Sequence, residues 1–398
     1  MPVLHALPQL TAAGLEDGQL PGAAEVSELV ELFGRVTDPR KPRGVRHRIA
    51  AVLTVAVFAV LAGARNYRQI GDTVADLPQE LLALAGVRPH QRTGWRRPPS
   101  EPTIRRIIEG IDAAQADALV GGWLRERLQR RAATGAGTGI AMDGKVVRNS
   151  DAGSGDVRLF SALHHDQAVV IAQVQVPSDT NEITQVAALF DGVDLSRAVV
   201  TGDAAHTQHT TAAYLVEQKQ CDYLLQVKGN QPRLLAQVTV ALPPATPGSA
   251  HHLDVDTGHG RTVHRAIWTA PADGVDFPHA QQVFRVRRDV FDTTGQRISK
   301  EVVHGVTSLH PTTTADQLAI HVRRHWSIEN KSHWVRDVVY AEDHQHAYTG
   351  ATAHTMAMLR NLAIGLIRLA GLTQITRTLQ RVAADRMRIL PLLAASRP

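Results

Sequence analysis

The 398-residue sequence contains a single cysteine, Cys221. One thiol cannot build a disulfide framework or a cysteine-only metal cluster, and it suits a reducing compartment. Apolar runs of membrane-spanning length are also missing. The longest, IAAVLTVAVFAVLAGA from Ile49 to Ala64, has sixteen residues between Arg48 and Arg65. A span takes about 20, so a buried helix is expected there and no membrane partner. The first residues show no secretory pattern, which leads to the expectation of a cytoplasmic protein. No internal repeat is evident.

What is present is an ordinary globular composition, 43% apolar and 20% charged, in a chain long enough for two or three modules. Net charge is +5, with a sequence pI near 9.6, so a polyanion partner is expected. The cations cluster in DPRKPRGVRHR (38–48), HQRTGWRRP (90–98), FRVRRD (284–289) and HVRRHW (321–326). Any one could be solvated surface; four together point to phosphate contact.

Residues 45–87 read as helices around a break at Ala62-Gly63-Ala64, as a helix-turn-helix or a plain helical hairpin. Ser100 followed by Pro102 marks a helix start, and Asp112 caps the next helix. AATGAGTG (132–139) is a small-residue linker and a domain boundary. Beyond it GIAMDGKVV, VRLFSALH and AVVIAQVQV read as an antiparallel meander. TNEITQVAALFDGV and HTTAAYLVEQK are expected helices, alternating with strands RAVVTGD and CDYLLQVKG, which gives an α/β layout with a mixed sheet. Residues 230–311 read as short strands and loops without a helix. Helical patterning returns from Thr314 onward.

Three carboxylates stand out by placement. Asp143 lies within the first strand, Asp203 ends the fourth, and Glu329 lies in the later helix. Strands one and four can be neighbours, and a helix laid across them could add Glu329. Carboxylates brought that close repel unless a cation sits between them. Oxygen ligands suit Mg²⁺ or Mn²⁺, and a pair of such ions supports phosphoryl transfer. Plainer roles stand beside this: Asp143-Gly144 is a hairpin-turn signal, Asp203 can cap a helix, and Glu329 can be solvated. A zinc reading starts from His321, His325, Glu329 and His333, spaced four apart. Each step of four drifts by about 40°, so only neighbours can share one ion, and the His-Glu-x-x-His placement is absent.

AMDGKVVRNS, DTNEITQVAALF, VTGDAAHTQ, YLLQVKGNQP, TGHGRTVHR and HWSIENKSHWVRDVVYAEDHQHAY follow one another in the order and spacing of bacterial insertion-sequence DDE transposases. Over residues 29–372 the sequence resembles the H-repeat-associated-protein-like branch of that group. The resemblance implies a ribonuclease H-like mixed sheet with a β-strand insertion, preceded by a small helical N-terminal domain. The implied division is a tail at 1–28, a helical domain at 29–131, a catalytic domain at 138–372 with its β-rich insertion at 230–311, and a helical tail at 373–398. Asp143, Asp203 and Glu329 become the catalytic and metal-binding acids, with two Mg²⁺ or Mn²⁺ ions as cofactors. The implied partners are double-stranded DNA, as terminal inverted repeats and target DNA, and a second copy in a homodimer on DNA, at the bacterial nucleoid. Lys145, Lys228, Arg261, Asn330 and His325 are the expected DNA-positioning or supporting residues. His206 either faces the site or caps a helix, and Trp95, Trp326 and Trp334 either stack on bases or serve packing. A sister branch's Tyr-x₂-Arg-x₃-Glu-x₆-Lys signature reads here as Val322, His325, Glu329 and Arg336.

Overall fold

A computed structural model describes residues 20–397 apart from 44, 132–137, 151–154, 247, 259 and 347–348. Most of the expected tail (1–19) and of the expected linker (132–137) therefore lies outside the described residues. Six helices come first: α1 (Ala23–Gly34), α2 (Ile49–Leu61), α3 (Tyr67–Ala75), α4 (Gln79–Leu84), α5 (Glu101–Gly110) and α6 (Ala113–Arg131). All thirteen residues of α2 are buried. This explains the long apolar run, because a helix apolar all round must be packed on every side. Among the described residues no helix is long and apolar enough to cross a membrane. α2 also leaves no face for a ligand, so of the α2–α3 pair only α3 meets solvent. The Asn66 side chain caps α3 by accepting the Gln69 N–H at 3.0 Å. Asp112 caps α6 in the same way through Gln115 N–H, also at 3.0 Å.

The sheet begins with an antiparallel meander, β1 (Gly139–Val147), β2 (Val157–His164) and β3 (Val169–Val176). A 3-10 turn at Glu182–Gln185 and the short α7 (Val186–Leu189) lead to β4 (Val199–Gly202), α8 (His209–Ala213) and β5 (Asp222–Val227). β4 lies parallel to β1, and β5 lies parallel to β4. The order β3-β2-β1-β4-β5, with only the first three strands antiparallel to one another, is the ribonuclease H-like arrangement.

After β5 come α9 (Pro232–Ala241), β6 (His252–Gly258), β7 (Arg261–Pro271), β8 (Gln282–Phe291) and β9 (Arg297–Thr307). β9 pairs with β5, so the insertion extends the same sheet to nine strands. Two local expectations change here. A helix does exist in this stretch, opened by Pro232 in its first turn and showing only Leu234 and Val238 as its buried signal. The strands run to eleven residues. Their charged, exposed positions hid that length from an apolar pattern.

α10 (Ala315–His325) is followed by π turns at Glu329–His333 and Val335–Val339, then α11 (Thr352–Leu369), α12 (Ile375–Ala384) and α13 (Ile389–Ala395). α11 is buried along nearly its whole length. Through it the N-terminal helices and the sheet share one apolar core, running from Val26 to Leu393.

Candidate active site

The face of the sheet that receives the Glu329 segment is set by strand parity, since residues two apart on a strand share a face. Along β1 the even residues Ile140 and Met142 enter the main core, whereas Ala141 packs with Leu163 and Ile328. Asp143 and Lys145 therefore project toward the helix that carries Glu329. Ala141 pairs with Thr201 across β1 and β4. Two residues further along these parallel strands, Asp143 stands level with Asp203.

Glu329 opens the first π turn, where Trp334 N–H bonds back to the Glu329 carbonyl. Such turns often mark functional positions within helices. Because a wider turn advances less per residue, the drift between positions four apart shrinks, and Glu329 and His333 both face β1. His333 Nδ1 lies 3.2 Å from Glu329 Oε2 and 3.6 Å from Asp143 Oδ2. Asp143, Glu329 and His333 each offer a ligand atom within 4.8 Å of the others. Asp203 lies outside that group, on the flank of Asp143. Its Oδ1 accepts N–H bonds from Ala205 (3.0 Å) and His206 (3.4 Å), so it also performs the turn-capping role open to it from sequence.

The electrostatics are those of a site short of positive charge. Burial pushes the Asp143 carboxyl up to about 6, against the pull of His333 and with the help of Asp203 and Glu182. Glu329 is held below its usual value, chiefly by the hydrogen bond from His333. Two carboxylates and an imidazole nitrogen suit a divalent cation, and a cation would offset the burial and the like charges that raise Asp143.

Glu182 is a contributor that the sequence reading did not single out. It lies against Gly144, where a Cβ would come within 1.8 Å of Glu182 Oε1. Glycine after Asp143 leaves room for the Glu182 carboxylate, which a side chain there would push aside, and that glycine was the available signal. Glu182 Oε2 lies 3.5 Å from His206 Nε2. The His206 ring is fully buried and stacks on Phe160 at 4.8 Å.

The expected supporting residues are placed as follows. Lys228 is exposed just past β5. Its turn is tied to the Asp203 loop by Asn230 Nδ2 to Ala204 O at 2.8 Å and by Gln231 Nε2 to Thr207 O. Lys145 is buried and turned inward, with Nζ 2.5 Å from Asp337 and 3.5 Å from Asp343. Arg261 sits at the β6–β7 hairpin, three strands beyond β5. Asn330 is exposed beside Glu329. His325 is buried, bonded through Nδ1 to Thr201 Oγ1 at 3.0 Å, and burial lowers its pKa to about 4. His321 faces His165 at 6.0 Å between ring centroids. Of the four positions in the zinc reading, then, only Glu329 and His333 join the candidate ligand group. Trp95, Trp326 and Trp334 are all substantially exposed. Arg336, at the last signature position, is fully buried against Glu342.

The fold is thus a ribonuclease H-like sheet with Asp143 inside β1, Asp203 just past the adjacent parallel strand β4, and Glu329 on the helical segment across them. Comparison with known proteins makes this specific. The family described as Transposase DDE domain matches residues 134–366, and the DDE_Tnp_1-associated family matches residues 30–124. This chain belongs to the Transposase DDE domain family. It is 27% identical to YbfL of Escherichia coli K12, over 94% of this chain and 99% of that one. It is 26% identical, with the same coverage, to the protein of that strain named "H repeat-associated putative transposase YhhI". A solved structure of piggyBac transposase in a synaptic complex with hairpin DNA aligns over 92% of this chain and 78% of that one, at 10% identity and a TM-score of 0.40.

Proposed function

We propose that this protein cleaves DNA at the ends of an insertion sequence and joins the freed ends to target DNA, with Asp143, Asp203 and Glu329 holding two divalent cations, Mg²⁺ or Mn²⁺. The observation that supports the reading is the approach of Asp143 to Glu329 and His333, with Asp203 just past β4, the strand parallel to β1. Water attacks a phosphodiester at the element end and the 3′ oxygen leaves; that 3′-hydroxyl then attacks a phosphodiester of the target. Bound cations supply a lowered nucleophile pKa and offset the charge gathering on the phosphate. Asp143 would hold a cation as its carboxylate, and the bound charge would lower its raised pKa. His333 keeps the Glu329 carboxylate turned toward Asp143. Lys228, fixed beside the Asp203 loop, is placed to hold a backbone phosphate.

Both element ends must be held at once, so the working form is a dimer on DNA. Light scattering of the complex checks this, and an active DNA-bound monomer would rule it out. The central test is cleavage of labelled DNA bearing the flanking inverted repeats, with Mg²⁺ or Mn²⁺, for wild type and Asp203→Asn. Nicking at the element end by wild type, reduced by a factor of about 10³ or more in the variant, is expected for loss of a metal ligand's charge. Tight end binding without cutting by either protein would instead mark a relic that binds DNA as a repressor.

A further inference from the structure

The residues of β1 that face the Glu329 segment meet it in sequence. Ala141 packs with Ile328, Asp143 lies beside Glu329 and His333, Lys145 pairs with Asp337, and Val147 packs with Ala353 and Ala357 of α11. The contacts fall in the same order along both elements, with two residues of β1 taken for each turn of the Glu329 segment. Glu329, His333 and Asp337 thus follow β1 in step with Ala141, Asp143 and Lys145. The second π turn, closed by Tyr340 N–H to Val335 O at 3.3 Å, keeps Asp337 on the same side.

We propose that the buried Lys145–Asp337 pair, steadied by Asp343, is the device that holds Glu329 at ligand distance from Asp143, making Lys145 and Asp337 positioning residues of the site. This rests on the proposed metal site, and it assigns Lys145 inward instead of to DNA. Lys145 is largely buried, with its ammonium 2.5 Å from Asp337 Oδ1 and 3.5 Å from Asp343 Oδ1. Asp343 is tethered in turn to the end of β1, where the Asn149 side chain bonds to its carbonyl at 2.6 Å. Together with the Arg148 and Asn149 contacts to Asp343, the ion pair forms a polar lock beyond Asp143 that ties helix to strand.

Charge and position predict opposite signs. If Lys145 acted only through its charge, removing it would deepen the negative potential and tighten cation binding. If it positions Glu329, removing it loosens binding. Mn²⁺ affinity of the full chain, read by electron paramagnetic resonance, decides between them. Lys145→Met is expected to weaken Mn²⁺ about tenfold, the usual cost of losing a group that orients a ligand. Lys145→Arg, which can keep the pair, should stay within about threefold of wild type. Lys145→Met/Asp337→Asn, which leaves net charge unchanged, should also be weakened, and it serves if the single variant does not fold. The salt slope of DNA binding should not change in Lys145→Met; a slope shallower by about one would make Lys145 a phosphate contact and overturn the assignment. Unchanged or tighter Mn²⁺ binding in Lys145→Met, with Asp143→Asn abolishing it, sinks the positioning role alone. Wild type that binds no Mn²⁺, or binds it equally well as Asp143→Asn, removes the metal site and this inference with it.

Discussion

Glu342 and Asp143 are two carboxylates near the same helical segment, and their surroundings differ in kind. Glu342 is completely enclosed, with Arg336 at 2.7 Å and Arg360 at 2.6 Å. Burial alone would raise it, but the two guanidiniums hold it down at about 2. From Arg336 the polar chain continues to Gln173 and Asp117, and Asp117 meets His354 at 2.7 Å. Arg360 also donates to the carbonyl of Arg65, joining sheet, α11 and the N-terminal helices. Among the described residues no guanidinium pairs with Asp143. Its titratable neighbours are His333 and the acids Asp203 and Glu182, and burial pushes it up to about 6. Buried charge that is fully paired holds a fold together. Buried charge left short of a partner marks a place for a ligand.

The sharpest way to break this contrast is to treat both acids alike. Glu342→Gln leaves two buried arginines without their counter-charge, which costs about 3–5 kcal/mol. A large drop in the urea midpoint is therefore expected, without any need for cation or DNA. A midpoint within experimental scatter of wild type would show that the paired network is not structural.

Asp143→Asn should move stability the other way. A carboxyl whose native value lies above its unfolded one is protonated preferentially in the native state, so its ionisation costs stability as pH rises through about 6. The displacement corresponds to at most about 3 kcal/mol. The metal-free variant should match wild type at pH 4, gain on it between pH 4 and 6, and stay ahead above that, while losing Mn²⁺ binding. Urea titrations at pH 4 and 7.5 read this directly. A destabilised variant at pH 7.5 would mean that Asp143 is satisfied by its present neighbours and awaits no cation.

The legibility of these two regions from sequence also differed. The five strands and their mixed sheet followed from apolar runs and turn residues, while the ribonuclease H-like order came from the family resemblance; Asp143, Asp203 and Glu329 were visible as acids where apolar pattern predicts strand or helix. The resemblance to DDE transposases chose the same three. The paired network was not visible, because Asp117, Gln173, Arg336, Glu342 and Arg360 are far apart in sequence and each looks like ordinary surface polarity. Lys145 shows the same limit: beside an expected metal ligand it reads as a phosphate contact, and only the fold reveals Asp337 at 2.5 Å. His333 was legible as an i+4 neighbour of Glu329. Its approach to Asp143 depends on π turns, which have no periodic signature.

Lys228 provides the smallest test of the comparison, on the cationic side. Unlike Arg336, Arg360 and Lys145, it is exposed and has no ion-pair partner among the described residues. Its turn is nonetheless fixed by Asn230 and Gln231 to the loop that carries Asp203. A cation held in place yet unpaired has its electrostatic capacity still available. Lys228→Ala should leave the urea midpoint unchanged and reduce the salt slope of DNA binding by about one, as expected for one lost phosphate contact. Lys145→Met should do the reverse, changing cation affinity and not the slope. If instead both variants shift the slope equally, burial and pairing do not distinguish the cations that build this site from those that meet DNA.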